Sequence, residues 1–442
     1  MSCVTVPNIL MPKKGTDLSK WAVVACDQYT SQPEYWEETD RIVGDAPSTL
    51  RLTLPEVYLE NENVDAITAQ VNQTMQQYLS DGTLTELPAG FILTERYSGG
   101  TIPRRGLVAA IDLEAYEYTA GSRSLVRPTE KTVVERIPPR LKIREHALVE
   151  VPHIMLLIDD PDRSIIEPMF RMTEQLETVY DTDLMQNGGH IKGWFIPQGE
   201  LTDALIAKMD ALNDRETFNA KYHLDKDLPL LPFAVGDGNH SMATAKAYWE
   251  QVKKTLTPEE QQTHPARFCL CEIVNIHDES LIIEPIHRVM FNVDASALLD
   301  EAKAFYAANG STCDITLAPR SSTALMLAQE DGAHTVGVCF GDQLGTLTVH
   351  DPKWGIPLGT LQAFLDAYLE AHPEAKIDYI HGNDVVDSLG TASGNMGFYL
   401  PDIQKNDLFR GVIIDGVLPR KTFSMGEAHE KRYYMECKRI VK

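Results

Sequence analysis

The sequence predicts a mixed α/β protein with mixed sheets, assembled from more than one domain. Three observations carry that expectation. Short apolar runs of strand character alternate with longer stretches of helical periodicity along all 442 residues. The alternation keeps no steady βαβ rhythm, which argues for mixed rather than uniformly parallel sheets. Hydrophobic residues make up 43% of the chain, enough for a large core and too many for a disordered polymer. A chain of this length exceeds what one simple core serves, so two or three domains are expected.

The first part, residues 1–120, opens with the apolar run at 21–25, read as a strand, and a polar loop at 26–34 able to reach a ligand. Between 63 and 79, Val64, Ile67, Val71, Met75 and Leu79 recur at helical spacing. Residues 91–93 and 106–111 read as strands.

A central part, residues 121–292, begins in a basic stretch containing Arg123, Arg127, Lys131, Arg136, Arg140, Lys142 and Arg144. These cations either face an anionic ligand or balance neighbouring acids on a solvated surface. Residues 151–158 read as a buried strand closed by the turn cluster Asp159-Asp160-Pro161-Asp162. Helical patterns at 165–180 and 201–212 flank Asn187-Gly188-Gly189-His190. A buried strand at 230–235 then meets Gly236-Asp237-Gly238-Asn239-His240, and a helix at 241–253 shows the apolar stripe Met242, Ala245, Trp249. Strands follow at 267–276 and 280–283.

The last part, residues 293–442, restarts with a helix at 295–309 and strands at 335–340 and 345–350. An amphipathic helix at 358–372 precedes the strand-like run 397–400, and the tail carries Pro419-Arg420-Lys421-Thr422-Phe423.

Charge narrows the function classes. Lys and Arg number 40 against 64 Asp and Glu, a formal charge of −24. A surface that acidic repels phosphodiester backbones and anionic membranes, so neither nucleic acid nor membrane is an expected partner. The first residues lack a secretory h-region, and no run approaches the roughly 18 apolar residues of a membrane helix. Seven scattered cysteines suit reduced thiols in a cytoplasm. Cys269 and Cys271 alternate in a strand-like run and should point together into core rather than at a metal.

The pattern at 230–253 is a strand, a glycine-bearing turn and a helix start. Such a turn offers free N–H groups and partial positive charge to an anion. Asp237 there could bind a divalent metal or accept a substrate proton, and His240 could donate to a phosphate. The alternative is that Asp237 merely caps the helix while His240 packs. No Walker A, post-strand GxGxxG, HExxH or GxSxG sequence occurs.

Phe233-Ala-Val-Gly-Asp237-Gly-Asn-His240-Ser-Met-Ala-Thr-Ala245 resembles the Ala-Asp-Gly-His-His-Arg-Tyr-Glu-Thr-Ala signature of a bacterial and archaeal family described as a domain of unknown function. Further stretches are similar in the same order: residues 47–55, Val126-Arg127-Pro128-Thr129-Glu130-Lys131-Thr132, Ile283-Glu284-Pro285-Ile286-His287-Arg288 and Leu418-Pro419-Arg420-Lys421-Thr422-Phe423. The signature also resembles that of the ParB and sulfiredoxin superfamily, whose members bind nucleotide phosphates at this turn and include free-serine kinases. The resemblance implies a ParB/sulfiredoxin-like central module with flanking N- and C-terminal α+β parts. It further implies a phosphotransferase moving phosphate from ATP or ADP to a free hydroxyl amino acid, L-serine first, with Mg²⁺.

By that resemblance Asp237, also the metal ligand, His240 and Glu130 are the catalytic candidates. Gly238, Asn239, Ser241, Arg127, His287, Arg288 and Lys421 are the phosphate-binding candidates. The departures are Asn239 for the first signature histidine, Ser241 for its arginine and Thr129 for the histidine of the early motif. Losing that arginine removes a phosphate clamp. A nucleotide-binding regulatory protein without transfer therefore stays open, and a DNA-associated protein of the ParB kind is disfavoured by charge. The expected partners are a nucleotide and a small-molecule substrate, with a homodimer left open.

Overall fold

The computed structural model describes residues 2–59, 63–119, 121–322, 325, 327–402, 405–419 and 421–442. Arg420 of the C-terminal motif lies outside the described residues. The chain divides into two compact units. One comprises Met1–Pro128, Thr132–Leu281 and Gly426–Lys442; the other comprises Thr129–Lys131 and Ile282–Met425.

Unit one is built on a ten-stranded sheet. Its strands are β1 (Val4–Thr5), β2 (Asn8–Pro12), β3 (Leu84–Tyr97), β4 (Arg104–Asp112) and β5 (Val126–Pro128). After β6 (Val149–Glu150), which pairs separately with Lys438–Arg439, come β7 (Met155–Ile158), β8 (Glu177–Leu184), β9 (Gly189–Pro197), β10 (Phe233–Asp237) and β11 (Phe268–Asn275). The order is β5-β10-β7-β11-β4-β3-β9-β8, with β1 against β4 and β2 against β3. β5 with β10 and β7 with β11 are parallel, while the remaining pairs along the path are antiparallel. This is the mixed sheet that the irregular alternation predicts.

The middle strands are buried along their length, and their sequences are correspondingly apolar on both faces. In β11, Cys269 and Cys271 stand opposite Ile111 and Ala109 and are both in the core, as alternation requires. Burial pushes both thiols up, so neither forms a thiolate at neutral pH. A thiol-specific reagent at pH 8 should therefore label Cys269, Cys271 and the equally buried Cys437 at least about 100-fold more slowly than the same thiols in guanidinium. Rapid native labelling of either β11 thiol, read by peptide mass spectrometry, would contradict this packing.

Several expected elements take another form. Residues 18–21 form a helical turn and residues 22–25 are buried but join no sheet beyond a single bridge between Val24 and Tyr433. Their backbone bonds go elsewhere: Val23 N donates to Thr49 Oγ1, Ala25 N to the Arg432 carbonyl, and the Val23 carbonyl accepts from Tyr434 N. The helical pattern at 165–180 resolves into a 3-10 helix, Glu167–Gln175, followed by β8 at the sheet edge. Thr178, Val179 and Tyr180 favour strand, and the pairing with β9 overrides the apolar spacing. Only Met155–Ile158 of 151–158 joins the sheet; Pro152, without an N–H, precedes it.

Unit two holds an antiparallel six-stranded sheet, all of whose paired strands run in opposite directions. The strands of this unit are β12 (Ile283–Pro285), β13 (His287–Phe291), β14 (Thr312–Pro319), β15 (Ala333–Phe340), β16 (Gln343–His350), β17 (Lys376–Ile380), β18 (Asn395–Tyr399) and β19 (Phe423–Met425). The order is β14-β16-β15-β18-β13-β17, with β12 and β19 forming a separate pair. Helices Ala295–Ala308 and Pro357–Ala371 bury Tyr306 and Phe364 with ring centroids 6.0 Å apart.

Candidate functional site

β10 delivers Asp237 at its end because Phe233, Ala234 and Val235 are anchored in the core between β5 and β7. Gly238 then turns the chain at φ +77°, and a Cβ there would lie 3.0 Å from the Ile154 Cα. Glycine is required on both counts. The helix Asn239–Lys253 follows, held by the buried residues Met242, Ala245 and Trp249. Gly238 supplies no side-chain cap, so the helix begins with uncapped amides. Asp237 is not the cap: its Oδ1 accepts from Gly238 N at 2.9 Å, and its Oδ2 stands 3.2 Å from Lys431 Nζ.

His240 Nε2 accepts from Val133 N at 3.3 Å, which leaves Nδ1 as its N–H donor. Burial, with Arg140 and Arg136 nearby, pushes its pKa down to about 4, so the ring is neutral at pH 7. Between its ordinary value and about 4 the unfolded chain takes up a proton that the folded chain refuses. Stability from this group is thus intact above about pH 6.5 and is lost as pH falls toward 4. In His240→Gln the urea midpoint should drop less between pH 7 and pH 5 than in the wild type. Equal drops would remove His240 from the acid response.

A second histidine completes the cluster. His153 is buried, with Nδ1 2.8 Å from the Tyr434 hydroxyl and Nε2 3.3 Å from both Asp27 Oδ2 and Ser241 Oγ. Burial opposes charging this ring, yet Asp27, helped by Asp237, raises its pKa. Burial likewise opposes ionising Asp27, but His153, Gln28 and Lys431 hold its carboxyl well below the usual carboxylate range. Asp27 and Ser241 compete for the same nitrogen, so this is not a serine–histidine–aspartate relay, in which they occupy opposite nitrogens. Asn239 Oδ1 and Thr132 Oγ1 are buried without a hydrogen-bond partner among the described residues.

Three of the seven cations of the basic stretch pair with acids. Arg140 pairs with Glu56, Lys142 with Asp65 at 2.5 Å and Arg144 with Glu150 at 2.5 Å. Arg127, on β5 beside β10, is buried and donates to the carbonyls of Ser122 and Pro229 at 3.1 and 3.4 Å. Burial lowers its pKa to about 10.

The other predicted residues belong to unit two. Glu130 accepts from the backbone of Thr422 and Lys421 at 3.1 and 3.3 Å, and burial raises its pKa. Lys421, exposed at φ +52°, holds its ammonium 5.1 Å from the Tyr379 ring centroid. Arg288 is fully buried 4.7 Å over the same ring and donates to Gln362 Oε1 at 3.0 Å. His287 Nδ1 accepts from Leu400 N at 3.0 Å; burial lowers its pKa. β13 lies between β17 and β18, so His287 and Arg288 stand on an interior strand of that sheet.

The structure thus gathers Asp237, Gly238, Asn239, His240 and Ser241 at one turn and adds Asp27, His153, Lys431 and Tyr434. Sequence reasoning marked only the polar loop containing Asp27. His153 lies inside a run read as strand, and Lys431 and Tyr434 come about 190 residues after the turn, beyond any local pattern. Among the described residues no three His, Cys, Asp or Glu side chains group as a metal cage. No described helix is long and apolar enough to cross a membrane.

A model for a family described as "Protein of unknown function (DUF1015)" matches residues 10–368. No curated protein matches. Among solved structures, a conserved hypothetical protein from Pyrococcus furiosus is similar at 10% identity and TM-score 0.34, covering 72% of this chain and 90% of that one. A free serine kinase in complex with AMP is similar at 9% identity and TM-score 0.37, covering 75% of this chain and 92% of that one. A mutant of a free serine kinase in complex with ADP gives the same identity and score, 9% and 0.37, over 77% and 96%.

Proposed function

This chain belongs to the DUF1015 family of proteins of unknown function, and on that premise we propose that its Asp237 turn transfers phosphate from ATP or ADP to a small hydroxylated metabolite. The observation that carries the reading is the Asp237 carboxylate, 3.2 Å from Lys431, at the uncapped start of a 15-residue helix. Helix amides and a lysine are suited to phosphate oxygens, and a carboxylate is suited to a hydroxyl proton. The sequence signature at 233–245 supports the same assignment.

In the proposed step the acceptor hydroxyl oxygen bonds to the terminal phosphorus. The bond from that phosphorus to the bridging oxygen breaks, its electrons leave with the shortened nucleotide, and the hydroxyl proton passes to Asp237. Lys431 offsets charge on the phosphates, and neutral His240 offers Nδ1–H as a donor. Mg²⁺ fits a single carboxylate, since it keeps waters and takes further ligands from substrate phosphates; Asp237 would hold it. It would supply charge neutralisation at the transferred group. The roles implied for Glu130, His287, Arg288 and Lys421 are not needed by this step.

The test is a coupled nucleotide-turnover assay with Mg²⁺ and a panel of free amino acids and hydroxy compounds, headed by L-serine. Acceptor-dependent turnover supports transfer. Ser241, where the signature has arginine, favours a second reading, a nucleotide-binding regulator with no transfer. Calorimetric nucleotide binding without turnover on any acceptor would select it.

A further inference from the structure

Next to the turn, within unit one, lies a cavity of about 150 Å³. Its walls include Leu52, Leu54, Met75 and Ile154 together with the polar His153 and Ser241. An apolar protein cavity of about this volume accommodates a molecule the size of benzene. The two arginines that border it are already ion-paired, Arg140 with Glu56 and Arg144 with Glu150, although Arg144 Nε is buried without a hydrogen-bond partner among the described residues. His153 is likewise matched by Asp27. An ammonium or carboxylate placed inside would meet only wall charges that are already ion-paired and would lose its hydration.

We propose that this cavity receives the acceptor, and that the acceptor is a compact neutral alcohol of about six heavy atoms rather than a zwitterionic amino acid. The apolar body lies against the leucines, Met75 and Ile154, and the hydroxyl is beside Ser241 and His153. This rests on the phosphotransfer reading for its chemistry. The bond made joins the alcohol oxygen to the terminal phosphorus, the bond broken releases the nucleotide, and the proton leaves to Asp237.

The experiment compares 3-methylbutan-1-ol with L-serine as acceptor, in turnover and in ligand-observed NMR binding. Wild type runs beside Ala147→Leu and Leu54→Phe, which add volume to the cavity from two segments. Circular dichroism selects whichever variants are folded. The expected result is kcat/KM at least about tenfold higher for the alcohol, falling at least about tenfold in a folded variant, with alcohol binding lost in parallel. A preference for L-serine, or alcohol turnover unchanged by filling, overturns the cavity assignment and leaves the phosphotransfer reading standing. Absence of turnover with alcohol binding lost on filling keeps the cavity as a neutral-ligand site and sinks the transfer reading. Absence of both turnover and binding overturns the proposal.

Discussion

Asp237→Asn should reduce acceptor-dependent nucleotide turnover by about 10²–10⁴-fold, the range for loss of a positioned base. The substitution keeps the shape and the bond from Gly238 N, and removes the charge, the proton-accepting capacity and the carboxylate proposed to hold Mg²⁺. It leaves Lys431, largely buried, without its carboxylate, so a loss of about 1 kcal/mol of stability should accompany it. Nucleotide binding measured without Mg²⁺ should not fall, because the partner left behind is the Lys431 cation. Turnover and calorimetric affinity measured on the same samples separate the two effects. Turnover within about tenfold of wild type would place the base elsewhere, with His153–Asp27 next in line.

The second large effect concerns stability. Arg432→Met should cost about 3–5 kcal/mol, the range for breaking a buried ion pair from one side. The Arg432 guanidinium meets Glu272 at 3.0 Å, Glu436 at 2.6 Å and the Pro152 carbonyl at 2.7 Å. The side chains of Arg432, Glu272 and Glu436 are all buried. Glu272 retains Thr94 at 3.0 Å and Arg104 at 3.8 Å, whereas Glu436 keeps the neutral Tyr180 hydroxyl, at 2.5 Å, and no second arginine among the described residues. Most of the penalty therefore falls on Glu436, and the variant's deficit should shrink when Glu436→Gln is added. Guanidinium unfolding of the single and double variants measures this. A loss below about 1 kcal/mol for Arg432→Met would mean that the network is relaxed or wet.

Much of unit one's sheet was legible because its strands are buried on both faces and read as continuous apolar runs, as at 106–111 and 268–275. The turn at 237–240 was legible because glycine punctuation between a strand and a helix is a local signal. What failed was of two kinds. Residues 22–25 are as apolar as a strand, but their hydrogen bonds go to Thr49 and to the segment around Tyr433, which no local window contains. Residues 177–180 fall within the span 165–180 whose spacing reads as a helix, and only the partner strand β9 decides the matter. The site shows the same division. Asp237 and His240 are visible in sequence; Asp27, His153, Lys431 and Tyr434 are collected from three separate stretches by the fold.

The segment Gly426–Lys442 belongs to unit one although the whole of Ile282–Met425 precedes it in the chain. It contributes Arg432, Tyr433, Tyr434, Met435 and Cys437 to the interior, and Trp21 Nε1 donates to the Met435 carbonyl at 2.9 Å. During synthesis the ribosome therefore delivers the amino-terminal sheet long before the residues that fill its core. Unit two has its own strands in hand by Met425, so it can finish first, while the nascent unit one waits with Trp21 and the end of β10 uncovered. A chaperone that shields apolar surface on the ribosome would find its longest-lived target there, and the turn at Asp237 would be assembled only after Gly426–Lys442 has emerged.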